Sequence, residues 1–156
     1  MGVFKTKAYQ ILEKNGIKDP KPGMWFSQQA WLNAFKSIVE EVGESTLLQI
    51  GISIPKNAKF PPGIDSLLKA LGSIDQAYHM NHRGGDIGHY KMELIGEKSA
   101  KIICKNPYPC SFDKGIITSF IQLFKPEGSS LPAKLAHDDK ECRKKGAHTC
   151  TYIVSW

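Results

Sequence analysis

The spacing of apolar residues in this chain changes near Ile87 from the period of a helix to that of a strand. This change restricts the possible folds more than any other feature of the sequence. Before this point, apolar side chains recur at the three- and four-residue spacing of helices. After it, residues 90–94 alternate between apolar and polar, and residues 148–156 alternate again. Helical spacing returns between them over residues 112–124, where Ser111 is the predicted N-cap. The sequence therefore predicts an α+β fold: N-terminal helices followed by β-β-α-β-β, with helices packed on one face of an antiparallel sheet.

The part of the chain before Ile87 predicts several helices. Residues 4–15 form a short helical segment, and residues 27–43 carry one apolar stripe between a capping serine and a glycine. Residues 45–55 fit either a short buried helix or a strand, and we favour the helix. Apolar residues at helical spacing over residues 64–78 predict a third main helix, which ends near residues 81–85.

The chain has 156 residues, of which 41% are hydrophobic. This length suits one domain with a core of its own and is short for two. We expect a single domain over residues 1–156, made of an N-terminal helix and linker (1–23) and a core (24–156).

Three cysteines lie where this fold would bring them together. Residues 133–142 and 148–156 predict a hairpin whose loop places Cys142 near Cys150. Cys110 precedes the predicted helix, and a thiol at a helix N-terminus is favoured as the thiolate, the form that binds metal ions. Two other interpretations stay open: the cysteines are buried apolar residues, or Cys142 and Cys150 form a disulfide. We favour a metal site, with zinc as the metal.

A tetrahedral zinc ion needs a fourth ligand, either a carboxylate or an imidazole. Four candidates lie in the predicted hairpin, namely His137, Asp139, Glu141 and His148. Cys104 lies in a predicted strand outside this set, and we expect it to be an ordinary packed thiol.

Two stretches of the chain form a distinctive pair, NPYPCSFDKGIITSFIQLF (106–124) and DKECRKKGAHTCTYIVSW (139–156). Together they resemble the 4-vinyl reductase domain, a small α+β module that also occurs in sensor regions of aromatic-responsive transcriptional activators. The resemblance implies a zinc ion held by Cys110, Asp139, Cys142 and Cys150. Phenol-sensing members have a glutamate where this chain has the aspartate, and His137 is the alternative fourth ligand. Because protein ligands would close the tetrahedron, the predicted zinc is structural. The same fold resembles that of certain TRAPP trafficking subunits, which are dimeric and enclose an apolar channel, so the resemblance also implies a homodimer.

A second group of side chains could bind a ligand. Residues 78–90 contain three histidines and an arginine around two glycines, and aromatic residues elsewhere could line a pocket. The competing interpretation, which we favour, is that the histidines end a helix, where basic groups suit the dipole, and that the aromatic residues are core. The candidate ligand-binding residues are Trp31, Tyr78, His79, His82, His89 and Tyr90.

The formal net charge of +6 does not by itself indicate a nucleic-acid partner. The lysines are scattered along the chain among acidic residues, and no nucleic-acid-binding motif accompanies them. No apolar run is long enough to span a membrane, and the N-terminus lacks the apolar segment of a secretory signal. We expect a cytoplasmic protein without a nucleic-acid or membrane partner.

These observations predict a zinc-containing, sensor-like domain that binds a small apolar or aromatic molecule. No catalytic residue is predicted, because the sequence has no Gly-rich phosphate loop, no nucleophile elbow and no Cys-His nucleophile arrangement. Two alternatives stay open: an enzyme acting on a hydrophobic substrate, such as a vinyl-group reductase, and a dimerisation scaffold.

Overall fold

A computed structural model describes residues 2–156 of the chain. Met1, within the predicted segment 1–23, lies outside the described residues. Helices precede strands, and the four strands form one antiparallel sheet, which confirms the predicted α+β class. None of the described helices combines the length and the apolar character needed to cross a membrane. In chain order the elements are α1 (Gly2–Lys14), α2 (Gln28–Glu41), α3 (Glu44–Asn57), α4 (Leu67–Gly72), α5 (Ile74–Met80), β1 (His89–Gly96), β2 (Ser99–Lys105), α6 (Cys110–Leu123), β3 (Lys134–His137), a single 3-10 turn (Arg143–Lys145) and β4 (Cys150–Ser155).

Two compact units divide the chain, residues 1–47 and residues 48–156. The first contains α1, α2 and the first residues of α3. The second contains the rest of α3 and every later element. The single-domain organisation expected over residues 1–156 stays a prediction.

In the first unit, α1 packs against α2 through apolar side chains. Ile11 of α1 is buried, as are Ala34, Phe35 and Ile38 of α2. These α2 residues recur at helical spacing, which is why the stripe after Ser27 predicts this helix correctly. Ser27 occupies the N-cap position, although its side chain makes no capping hydrogen bond.

The sheet of the second unit has the order β1-β2-β4-β3. β1 and β2 form the predicted hairpin, with Tyr90 opposite Cys104. β4 then pairs with β2, and this register places Cys150 opposite Cys104. The last strand of the chain therefore lies inside the sheet and brings the C-terminal cysteine next to β2.

The C-terminal hairpin is shorter than the sequence predicts. β3 ends at His137, opposite Tyr152, whereas alternation predicts a strand that continues to Cys142. The Asp138 N–H still donates to the Thr151 carbonyl at 2.8 Å, and the chain leaves the ladder after this residue. There the Asp138 carboxylate accepts a hydrogen bond from the Lys140 N–H at 3.0 Å. This local turn of the aspartate competes with strand pairing. Cys142 consequently lies in a loop.

Two helix predictions are wrong in detail. Residues 64–78 form two short helices, α4 and α5, because the chain breaks at Ser73, whose hydroxyl donates to the Ala70 carbonyl at 2.7 Å. The N-cap of α6 is Pro109, and Ser111 lies inside the helix. The helix therefore begins at Cys110 itself.

Within the second unit, α3 and α6 cross in direct backbone contact. A Cβ atom at Gly51 would lie 2.3 Å from the Phe112 carbonyl oxygen, and one at Gly115 would lie 2.3 Å from the Leu48 carbonyl oxygen. Side chains larger than hydrogen do not fit at this crossing. The two glycines thus allow α6 to lie directly against α3.

Gly115→Ala should destabilise the chain by about 1–3 kcal/mol, because the new methyl group meets backbone atoms that have no free space to move into. Urea unfolding of the purified protein measures the change. Gly72→Ala is the matched control, since its methyl group would meet only the end of the Met92 side chain at an ordinary 3.6 Å. Equal loss of stability in both variants would contradict the crossing described here.

Candidate functional site

Three of the four cysteines converge at the start of α6. Cys110 is the first residue of α6, Cys142 precedes the 3-10 turn, and Cys150 is the first residue of β4. The Cys110 Sγ atom lies 2.7 Å from that of Cys150 and 3.5 Å from that of Cys142, and all three sulfur atoms lie within 4.8 Å of one another. All are free thiols. We call these three residues the cysteine cluster.

The cysteine cluster is buried. Its members are 6%, 3% and 0% exposed in chain order. The N–H of Arg143 donates to the Cys150 sulfur at 3.4 Å, and the hydroxyl of Tyr152 donates to the Cys110 carbonyl at 2.8 Å. The second bond ties the first turn of α6 to the middle of β4. A backbone hydrogen bond from Arg143 and a side-chain hydrogen bond from Tyr152 therefore hold the cluster in place.

The three thiols differ in acidity. Burial raises the pKa of Cys110 to about 12, and its hydrogen bonds to the other two cysteines act in the same direction. Burial also raises the pKa of Cys150. Burial opposes ionisation of Cys142 too, but hydrogen bonds from Cys110 and from the Lys144 backbone outweigh it, so the pKa of Cys142 is lowered. Cys142 is thus the first of the three to form a thiolate.

A buried ion pair lies beside the cluster. The Arg143 guanidinium donates to the Asp113 carboxylate at 2.6 Å, to the Tyr108 carbonyl at 2.7 Å and to the Cys104 carbonyl. Asp113 is 0% exposed and also accepts the Tyr90 hydroxyl at 2.6 Å. Arg143 therefore connects the cluster loop to α6 and β2 at once.

The charges of this pair depend on each other. Burial raises the pKa of Asp113, while Arg143 acts against that rise. Burial disfavours the charged guanidinium, but Asp113 outweighs this effect and the pKa of Arg143 is raised. Sequence reasoning missed the pair. The available signal was an aspartate on the apolar stripe of α6, at helical spacing from Ile116, Ile117 and Phe120, because a charge there requires a partner.

The predicted fourth metal ligands do not join the cluster. The Asp139 side chain is 83% exposed and lies 3.7 Å from the Lys145 ammonium group. Glu141 and His148 are exposed. The His137 ring stacks on Tyr152 at a centroid distance of 4.6 Å, and its Nε2 atom is buried without a partner. Among the described residues, only the three cysteines meet as a potential metal-binding group. The complete ligand set stays a prediction.

The predicted ligand-binding residues of the second unit are either bonded within the protein or exposed. Tyr78 donates to the Ile87 carbonyl at 2.6 Å, Tyr90 is bonded to Asp113, and His82 bonds both the Tyr78 carbonyl and the Tyr108 hydroxyl at 2.7 Å. The Tyr78 ring contacts the rings of His82, Tyr90 and Tyr108. Burial is the first cause of the lowered pKa of His82.

The other candidate residues lie elsewhere. His79 and His89 are exposed. Trp31 belongs to the first unit, where it packs on Phe35. Their role in ligand binding stays a prediction.

Known structures that resemble this chain include H-NOX domains. An H-NOX protein from S. oneidensis in the Fe(II)NO state is 13% identical, with 96% of this chain and 88% of that chain covered and a TM-score of 0.65. An oxygen-binding H-NOX domain related to soluble guanylate cyclases, in complex with oxygen, is 16% identical, with 95% and 83% covered and a TM-score of 0.66. An H-NOX structure determined to probe heme distortion is 13% identical, with 96% and 84% covered and a TM-score of 0.64. At these identities the likeness establishes a shared fold. No protein-family model and no curated protein matches the chain.

These comparisons correct two predictions. The resemblance to the 4-vinyl reductase domain is wrong, because no family model supports it and the similar structures are H-NOX domains. Zinc as the structural cofactor is also wrong, since the proteins that share the fold are heme proteins by description and the expected closing ligand Asp139 points into solvent. Both predictions failed because they depended on the spacing of possible zinc ligands in the last third of the chain.

His82, His137 and the crossing of α3 and α6 do not fit a heme. An axial ligand needs a free ring nitrogen or sulfur atom facing a slot as wide as a porphyrin. α6 has no histidine, and its contact with α3 leaves no such slot between these two helices. His82 has both ring nitrogens bonded, and protein atoms enclose Nε2 of His137. The cluster sulfur atoms face one another.

Asp113→Asn should lower the free energy of unfolding by about 3–5 kcal/mol, because it leaves Arg143 partly buried without its counter-charge. Urea unfolding checks this value. Asp65→Asn is the control: Asp65 also pairs with a cation, Lys69 at 2.8 Å, but it is exposed, so its unfolding midpoint should stay in place. A similar loss in both variants would show that the buried pair has no special role.

Hemin added to the reduced chain should form no one-to-one complex through His82 or His137, because His82 has both ring nitrogens bonded and protein atoms enclose Nε2 of His137. An absorption titration tests this, with the S. oneidensis H-NOX domain as positive control. A saturable change in the heme spectrum that disappears in His137→Ala would overturn the conclusion.

Proposed function

We propose that this chain is a sensor-like domain that binds a small ligand, and that the cysteine cluster is its centre for a thiophilic metal ion. One observation carries the proposal: three buried free thiols, contributed by three separate segments, lie within 4.8 Å of one another. Soft thiolate ligands select soft metal ions. A purely structural role for three thiols would not require that they face each other.

The placement of the cluster suits a sensor. An ion bound there would join the start of α6, the loop before the 3-10 turn and the start of β4. Loss of the ion would remove one of the links between these segments, and a change of this kind can transmit a signal. Similar proteins with this fold were solved with nitric oxide or oxygen bound, which supports small-molecule binding as the general role.

The remaining expectations concern the location of the protein in the cell, its dimerisation and its small ligand. Four free thiols suit a reducing compartment, so we place the protein in the cytoplasm. β1 is an edge strand with exposed Leu94 and Ile95, a surface that a homodimer could cover. The apolar or aromatic ligand stays a prediction without an assigned pocket.

Cadmium(II), used as the probe ion, should bind the reduced chain at one equivalent and give the ultraviolet charge-transfer band of metal thiolates. Cys142→Ser should weaken binding by more than the roughly 10–100-fold that changes outside the ligand set cost. Cys104→Ser is the matched control: this cysteine is equally buried, faces Cys150 across the strands and is outside the cluster, so binding should be unchanged.

Circular dichroism of each variant verifies that it is folded. Unchanged cadmium affinity in Cys142→Ser, or loss of binding in Cys104→Ser, would refute the proposed centre.

A further inference from the structure

We infer that the cysteine cluster is built for a trivalent thiophilic ion of the arsenic(III) class, held by three thiolates alone. This inference rests on the proposed function and specifies its ligand. It follows from three properties of the cluster: the number of donors, their burial and the local charge.

The number of donors is three. Among the described residues, no carboxylate, imidazole or fourth thiol completes the group formed by Cys110, Cys142 and Cys150. Asp139 extends into solvent, and Cys104 remains outside although it faces Cys150 across the strands. Arsenic(III) binds three thiolates as a pyramid, and its non-bonding electron pair occupies the fourth direction. A divalent ion of tetrahedral preference needs a fourth donor.

The burial of the cluster disfavours water as that fourth donor. The three cysteines are between 0% and 6% exposed, and Tyr152 lies over the Cys110 carbonyl. A metal ion that keeps an open position for water or substrate needs an entry path to that position. A pyramidal ion with three thiolates needs none.

The charge near the cluster favours a trivalent ion over a divalent one. Three thiolates carry three negative charges, so a trivalent ion leaves the centre neutral and a divalent ion leaves one negative charge. Arg143 is the adjacent cation, and its charge is already matched by Asp113 at 2.6 Å. Lys145 is exposed and pairs with Asp139. An uncompensated charge in a buried site is costly, which favours the neutral complex.

The anchoring of Arg143 prepares the cluster for this geometry. Its guanidinium is bonded to Asp113 and to the Tyr108 and Cys104 carbonyls, so the turn that follows Cys142 is held in place. The Arg143 N–H in turn reaches the Cys150 sulfur. The thiols are thus held together before an ion arrives.

The binding reaction balances without any oxidant or reductant. Arsenous acid, As(OH)3, exchanges three As–O bonds for three As–S bonds. Each thiol gives its proton to a departing hydroxide, and three water molecules leave. The oxidation state of arsenic and of each sulfur stays the same.

Intact-protein mass spectrometry of the reduced full chain with arsenite tests the inference. We expect one adduct whose mass increase is that of one arsenic atom less three hydrogen atoms, which counts three As–S bonds directly. Cys110→Ser, Cys142→Ser and Cys150→Ser should each lose this mass and retain at most a two-thiolate adduct that keeps one hydroxide. Their arsenite affinity should fall by at least about tenfold. Cys104→Ser should retain the three-thiolate mass.

The possible results separate this inference from the proposed function. Cadmium binding without arsenite binding would refute the inference and leave the proposed centre intact. Failure of both ions would refute both. A wild-type adduct that has lost only two hydrogen atoms, or one that disappears in Cys104→Ser, would show that these three thiols do not act together. Circular dichroism identifies any variant that is unfolded, and the other two cluster variants then decide the outcome.

Discussion

The ion pair between Arg143 and Asp113 is the interaction on which the second unit depends. Asp113 lies one turn into α6, after Cys110, and Arg143 lies between Cys142 and Cys150. The pair therefore connects the same two segments that the thiols connect, from the opposite side. Because Asp113 is fully buried and Arg143 largely so, each requires the other. Carbonyl groups of β2 and of the following loop accept the other hydrogen bonds of the guanidinium. An exposed pair would not fix the loop in this way.

Much of the fold can be predicted from the sequence, because periodicity depends on local contacts. Residue spacing alone predicts the apolar stripe on α2, the β1–β2 hairpin and the convergence of three cysteines. The break at Ser73 does not, since a serine hydroxyl bonded to a preceding carbonyl looks the same in sequence as one exposed on a continuous helix. The orientation of Asp139 is likewise decided by a turn that alternation does not reveal.

The site shows a stronger limit of sequence reasoning. Arg143 belongs to a run of three basic residues that together predict an exposed loop tip, yet it alone turns inward. Its partner is 30 residues away in sequence, so no local pattern indicates the pair.

The strand order β1-β2-β4-β3 has a consequence for the way the chain folds. β2 can pair with β1 as soon as the first hairpin is made, but its other edge waits for residues 150–155, which follow α6 and the whole C-terminal loop. Closing so long a loop costs entropy before any contact repays it, so the pairing of β2 with β4 should be the slow step of folding. During synthesis the open edge of β2 is available to other strands until β4 arrives. The three thiols converge only when β4 is paired with β2. An ion can therefore bind all three only after most of the second unit has folded.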